Sequence, residues 1–170
     1  LDSRGPVFYV QRRMRPGKEG PVPFRMLKLR SMLVGAEDKT GPVWDGTVDD
    51  EDRVTRVGRV LRRFRLDEIP QFLNVLKGDM SIVGPRPERP HFTEQLSEQL
   101  DAYDDRLAVL KPGITGWAQI QRAADTSVAD VEEKLLFDLA YLAHLYRLGT
   151  YLPMELRILW RTIFVMLFGK

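Results

Sequence analysis

Two adjacent carboxylates, Asp67 and Glu68, follow directly on an arginine-rich run and precede Ile69-Pro70-Gln71. Proline is tolerated in a first helical turn, so Pro70 predicts a helix start at or beside the pair. One reading of these acids is structural, with Asp67 as N-cap and Glu68 complementing the helix dipole. The other is chemical. A helix start with arginines nearby attracts phosphate, and two neighbouring carboxylates can hold Mg²⁺ against substrate phosphates. A carboxylate can also attack phosphorus and form an acyl phosphate. That step needs cations to offset the repulsion between carboxylate and phosphate.

Candidate cations are present. Arg86 is held between Pro85 and Pro87, and rigid flanks reduce the entropy lost in fixing a guanidinium that grips phosphate bidentately. A solvent-facing turn arginine is the alternative. Lys28 and Arg30 flank Leu29 in a strand-like run, so they share one face, which serves either a phosphate or water. Arg53, Arg56, Arg59 and Arg62 recur every three residues, a drifting stripe along a helix that suits a phosphate-bearing partner. DNA is one such partner, but no Asn or Gln in the stripe could read bases. Membrane phosphates or a pyrophosphate fit equally well, and no nucleic-acid partner is expected.

These residues must be positioned by a mainly helical frame. Val7 to Gln11 and Phe24 to Leu29, with Pro16-Gly17-Lys18-Glu19-Gly20 between them, predict a small, loose β-hairpin. Residues 35–52 read as an exposed acidic loop. Apolar positions 54, 57, 60, 61 and 64 predict a helix over Val54 to Phe64. A second helix is expected over Asp67 to Leu76, ended by Lys77-Gly78-Asp79. The prolines of Gly84-Pro85-Arg86-Pro87-Glu88-Arg89-Pro90 exclude helix there. Residues 91–110 predict an amphipathic helix, 112–117 a loop, and Asp130 to Leu148 a helix with Val131, Leu135, Leu139 and Leu142 on its apolar side. Met154 to Phe168 predicts a greasy helix of about 22 Å at ~1.5 Å per residue, too short for ~30 Å of hydrocarbon. Arg157, Trp160 and Arg161 suit a headgroup boundary; a core helix or a contact with a second copy in a homo-dimer is the alternative.

The chain has 170 residues, 44% hydrophobic and 29% charged, which fits one folded domain with a core of its own. It has no cysteine, which excludes disulfides, thiolate metal sites and a cysteine nucleophile. His91 and His144 match no zinc spacing. No signal peptide is visible, and no apolar run approaches the ~20 residues of a spanning helix. The fold class expected is α+β: a mainly helical compact single domain with a small β-hairpin and amphipathic membrane-surface helices.

Leu66-Asp67-Glu68-Ile69-Pro70-Gln71-Phe72-Leu73-Asn74-Val75-Leu76-Lys77-Gly78-Asp79-Met80-Ser81-Ile82-Val83-Gly84-Pro85-Arg86-Pro87 resembles the signature of the bacterial sugar transferases. These are the monotopic polyprenyl-phosphate hexose-1-phosphate transferases. Gly5-Pro6-Val7-Phe8-Tyr9 with Gln11-Arg12-Arg13, Lys28-Leu29-Arg30-Ser31-Met32, Thr55 to Arg62, and Lys111-Pro112-Gly113-Ile114-Thr115-Gly116-Trp117-Ala118-Gln119 agree with it, in order along nearly the whole chain.

The resemblance implies a phosphoglycosyl transferase. Asp67 would attack the sugar-bearing phosphate of a UDP-sugar and release UMP. Polyprenyl (undecaprenyl) phosphate would then take the phosphosugar. Glu68 would bind Mg²⁺ with Asp67 and orient it, Arg62 and Arg86 would grip phosphate, and Lys28 and Gln119 are weaker phosphate-binding candidates. It further implies work at the cytoplasmic face of the bacterial inner membrane, at the start of exopolysaccharide, O-antigen or glycoprotein glycan assembly. Residues 1–170 would be a catalytic domain truncated at its N-terminus, since the family's re-entrant membrane helix is absent. Two further departures stand out. Ile120-Gln121-Arg122-Ala123-Ala124 replaces the commoner Val-Asn-Gly-Arg-Asn, and Leu152-Pro153-Met154-Glu155-Leu156, before the final helix, stands where an Asp is usual.

Overall fold

The computed structural model describes residues 3–38, 41, 43, 53–122 and 125–168. Its first element is a hairpin of β1 (Phe8–Gly17) and β2 (Gly20–Leu29), antiparallel from Phe8 opposite Leu29 to Gly17 opposite Gly20. The two-stranded hairpin is small, as expected, but its connection is the dipeptide Lys18-Glu19, so it is tight where a loose one was expected and its strands run further than the predicted apolar runs. Gly20, at φ 126°, supplies the backbone that so short a turn needs. Most of the acidic 35–52 loop lies outside the described residues.

Thr55 accepts the Gly58 amide at 2.8 Å and starts helix α1 (Arg56–Arg63). A Cβ on Gly58 would stand 1.9 Å from the Ser31 carbonyl oxygen, so glycine lets α1 press against the chain leaving β2. The helix was predicted from its apolar spacing, yet Val57, Val60 and Phe64 are exposed and Gly58 is its one buried residue. The spacing therefore marks a surface stripe, not a core contact.

The helix expected over Asp67 to Leu76 is two pieces. A 3-10 turn, Leu66–Glu68, follows Arg65, which is left-handed at φ 53°, and α2 (Gln71–Leu76) starts after Pro70. Pro70 lacks the N–H that a continuous helix would use, which separates the pieces. Asp67 is consequently not the N-cap of α2; Pro70 holds that place.

Strand β3 (Ser81–Val83) pairs in parallel with β4 (Gly113–Thr115), where a plain loop was expected. Gly84, Gly113 and Gly116 allow the approach: a Cβ on Gly116 would lie 2.1 Å from the Gly84 carbonyl oxygen. The predicted 91–110 helix divides into α3 (Pro90–Gln99) and α4 (Asp105–Val109), with Ala102 at φ 62° between them. Then come α5 (Trp117–Gln121), α6 (Val128–Leu145) and α7 (Leu148–Phe168). At 21 residues, α7 is about 32 Å long at ~1.5 Å per residue. Length thus does not keep it from spanning a bilayer; Glu155, Arg157 and Arg161 make it too polar. Among the described residues no helix is long and apolar enough to cross a membrane.

Among the described residues, three clusters hold the fold. Phe92, Leu96, Leu107, Val131 and Leu135 join α3, α4 and α6. Val83, Ile120, Tyr141 and Ile158 join β3, α5, α6 and α7. Phe24, Met26 and Met80 lie under the hairpin. Together these elements make a compact, mainly helical α+β fold, as the sequence predicts.

Candidate active site

One residue docks α2 onto the hairpin. Asn74 is buried, accepts the Leu27 amide at 3.0 Å and donates to the Arg25 carbonyl at 2.8 Å. It acts as a third-strand partner for the outer edge of β2. The docking brings Lys28, near the end of β2, against the 3-10 turn, with Lys28 Nζ 3.5 Å from Glu68 Oε1.

The Arg86 loop is pinned from β1. Arg13 donates through Nη1 to the Pro87 carbonyl at 3.0 Å and lies 3.6 Å from Glu88 Oε2, while the Met14 amide donates to the Glu88 carbonyl at 2.9 Å. Gln11 braces the other edge of the same guanidinium at 2.7 and 3.0 Å.

These contacts surround a cavity of about 600 Å³ whose wall includes Lys28, Arg30, Arg62, Asp67, Glu68, Arg86 and Gln119. The seven residues expected to act on the substrate or metal thus meet in one space, although they span 92 positions of the chain (28 to 119). They are not equivalent there. Arg30 spends its guanidinium on the chain itself, donating to the Pro6 and Met32 carbonyls at 2.6 and 3.1 Å and to Ser3 Oγ at 2.7 Å. Its place is that of a clamp. Gln119 is buried, and its Nε2 donor has no hydrogen-bond partner. Such a donor costs about 1–3 kcal/mol unless a ligand or water meets it.

The arginine stripe splits between environments. Arg62 faces the cavity; Arg56 and Arg59 are exposed; Arg53 donates to the Ala36 carbonyl at 3.0 Å from its own place on the wall. Sequence reasoning missed Arg13, Arg65, Asp125 and Lys134, which also line the space.

The adjacent carboxyls are driven in opposite directions. Burial raises the Asp67 carboxyl above its ordinary 3.8, with Lys28 and Arg62 pulling against it and Glu68 adding to it. Burial also pushes Glu68 up, but Lys28, Arg86 and Arg65 outweigh it and leave the group below its ordinary 4.5. Lys28 itself is lowered, by burial first and by Arg86 and Arg13, against the pull of Glu68. Neighbouring acids split by their surroundings suit division of labour: one carboxylate firmly ionised, the other poorly solvated and basic.

The pair offers hard oxygen donors on one wall, and among the described residues no three His, Cys, Asp or Glu side chains gather into a metal cage. Such a donor set fits Mg²⁺, which takes one or two carboxylates and completes its shell with substrate phosphate and water.

The model of the bacterial sugar transferase family matches residues 1–169. The chain belongs to that family. Curated sugar transferase relatives include the UDP-N-acetylgalactosamine-undecaprenyl-phosphate N-acetylgalactosaminephosphotransferase of Aeromonas hydrophila, 38% identical over 99% of this chain and 37% of the relative. The UDP-glucose:undecaprenyl-phosphate glucose-1-phosphate transferase of Escherichia coli is 46% identical over 84% of this chain and 30% of its own length. Its namesake from Caulobacter vibrioides is 41% identical over 84% and 51%. This sugar transferase chain therefore spans about a third to a half of the curated relatives it matches.

Proposed function

We propose that the chain transfers a sugar 1-phosphate from a UDP-sugar to polyprenyl phosphate and releases UMP. The observation that carries this reading is the Asp67-Glu68 pair, split in basicity, on the wall of a cavity rich in cations. Asp67 attacks the phosphorus that bears the sugar. A P–O bond to that phosphorus forms as the bond to UMP breaks, and UMP leaves with the electron pair. A phosphate oxygen of the acceptor then attacks the same phosphorus, and Asp67 departs as carboxylate.

Lys28 and Glu68 orient the turn that carries Asp67. Arg62 and Arg86 face the non-bridging oxygens, where charge grows during in-line transfer. Mg²⁺, when bound, would supply further charge neutralisation. Asp67 and Glu68 are the residues that would hold it.

The acceptor's lipid ties the reaction to a membrane surface, and the nucleotide donor ties it to the cytoplasmic face. The exposed apolar side chains support this placement. Val57, Val60 and Phe64 on α1, Phe72 and Leu76 on α2, and Trp160 and Phe164 on α7 face outward, and cationic residues flank them on α1 and α7. Such faces suit a bilayer boundary. Residues 1–170 are, in this reading, the catalytic part of a longer enzyme.

The test is UMP release from a panel of UDP-sugars with Mg²⁺ and undecaprenyl phosphate, beside Asp67→Asn. The expected result is release by the wild type, none by the near-isosteric amide, and a phosphosugar adduct on Asp67 detected by mass spectrometry when the acceptor is withheld. Full turnover by Asp67→Asn would remove Asp67 as the nucleophile.

A further inference from the structure

Beyond Gln119 the cavity wall continues into charged side chains that no step above uses. Lys134 of α6 and Asp125 both face the space, with Nζ 2.7 Å from Oδ1 and side-chain exposures of 11% and 12%. Arg122 lines the same wall and is paired with Glu133. Gln119 connects this region to the reaction centre, because it also borders a small recess shared with Lys28, Glu68 and Arg86.

Taking a carboxylate and an ammonium out of water is costly, and apolar packing could tie a loop to a helix as well. Here the pair does more than tie, since it turns toward an open cavity. A sugar hydroxyl both donates and accepts. An acceptor-only carboxylate beside a donor-only ammonium is therefore matched to neighbouring hydroxyls, or to a hydroxyl beside an acetamido group. Elsewhere the cavity is walled by Leu29, Met32, Leu33, Val34 and Ala36, which suit a flat base better than a hydroxylated ring. The sugar is joined through a single oxygen to the phosphorus that Asp67 attacks, so its ring must lie on a wall that adjoins the reaction centre.

We infer that Asp125 and Lys134 form the subsite for the donor's sugar ring and select the hydroxyl pattern that is accepted. The inference rests on the donor reading given above.

The experiment measures binding of UDP and of UDP-hexoses by calorimetry to the full-length protein in nanodiscs, in an Asp67→Asn background so that no turnover occurs. The variant is the charge exchange Asp125→Lys with Lys134→Asp, which keeps an ion pair at the site and so keeps the loop tied to α6. The expected result is UDP affinity unchanged and UDP-hexose affinity reduced tenfold or more. Sites built to hydrogen-bond a hydroxyl lose about that much or more when the match is broken. Unchanged UDP-hexose affinity would overturn the inference. Equal losses for UDP and UDP-hexose would overturn it too, by placing the pair at the nucleoside. UDP binding by the parent protein reports separately on the donor reading; its absence would overturn both.

Discussion

Lys28 Nζ stands 3.5 Å from Glu68 Oε1 with both side chains largely buried, and the same lysine pulls on the Asp67 carboxyl. One cation thus serves both acids. Lys28→Met leaves Glu68 buried without its main counter-charge, so its carboxyl rises. Glu68 is held below its ordinary 4.5 in the fold, so its ionised form stabilises the protein above that pH and the contribution fades as pH falls. In Lys28→Met burial acts without that pull, so the stabilising contribution shrinks, and it turns into a cost wherever the folded carboxyl stands above 4.5. Turnover at neutral pH should drop by about 100-fold, the usual scale for misplacing a reacting group, and recover in part as pH rises. Lys28→Arg, which keeps the charge, should retain more activity. A pH–rate profile of the three proteins decides it.

The pH dependence of the wild type should carry the mark of Asp67. Its carboxyl is raised by burial above 3.8, and the proposed attacking form is the carboxylate. UMP release should therefore fall on acidification through a limb above 3.8. Arg62 lowers this group, so Arg62→Gln should move the limb further upward. A limb at the same pH in both proteins would contradict the assignment.

Asn74→Leu removes the partner of the Leu27 amide and the Arg25 carbonyl together. The expected loss is about 2–3 kcal/mol in urea denaturation, from buried groups left unpaired. Activity should fall further than stability alone explains, because Lys28 loses its register against Glu68.

Arg106 and Asp138 form a buried ion pair at 3.0 Å, with the Tyr103 hydroxyl also accepting from Arg106. Burial pushes the Asp138 carboxyl up to about 6 against the pull of Arg106. Arg106→Met alone should cost about 3–5 kcal/mol by leaving a buried acid unpaired, and Arg106→Met with Asp138→Leu should regain most of it. Thermal denaturation of the three proteins distinguishes a deserted charge from simple loss of packing.

Much of the cavity wall was legible because its residues sit in runs with strong local constraints. Pro85 and Pro87 around Arg86, and the adjacent Asp67 and Glu68, mark themselves in the sequence. The hairpin and α6 were legible too, from alternation and from the stripe Val131, Leu135, Leu139 and Leu142. What escaped depends on contacts distant in sequence. The β3–β4 pairing joins segments about 30 residues apart (81 to 113), and three-residue strands carry too little periodicity to see. The apolar spacing of α1 showed a stripe but not which side faces the interior. Lys134 and Asp138 had a readable sign that was passed over. They fall four residues apart within the buried stripe of α6, where a charged side chain needs a partner or a cavity.

The 3-10 turn Leu66–Glu68 lies between a left-handed Arg65 and Pro70, which separate it from α1 and α2, so neither helix runs through it to absorb a change of register. With about three residues per turn, inserting or deleting one residue there rotates the following side chain by roughly 120°. Asp67 would then point away from the cavity even with every other residue of its wall intact. The length of the segment from Arg65 to Pro70 thus sets the direction of Asp67 as firmly as its residue types do.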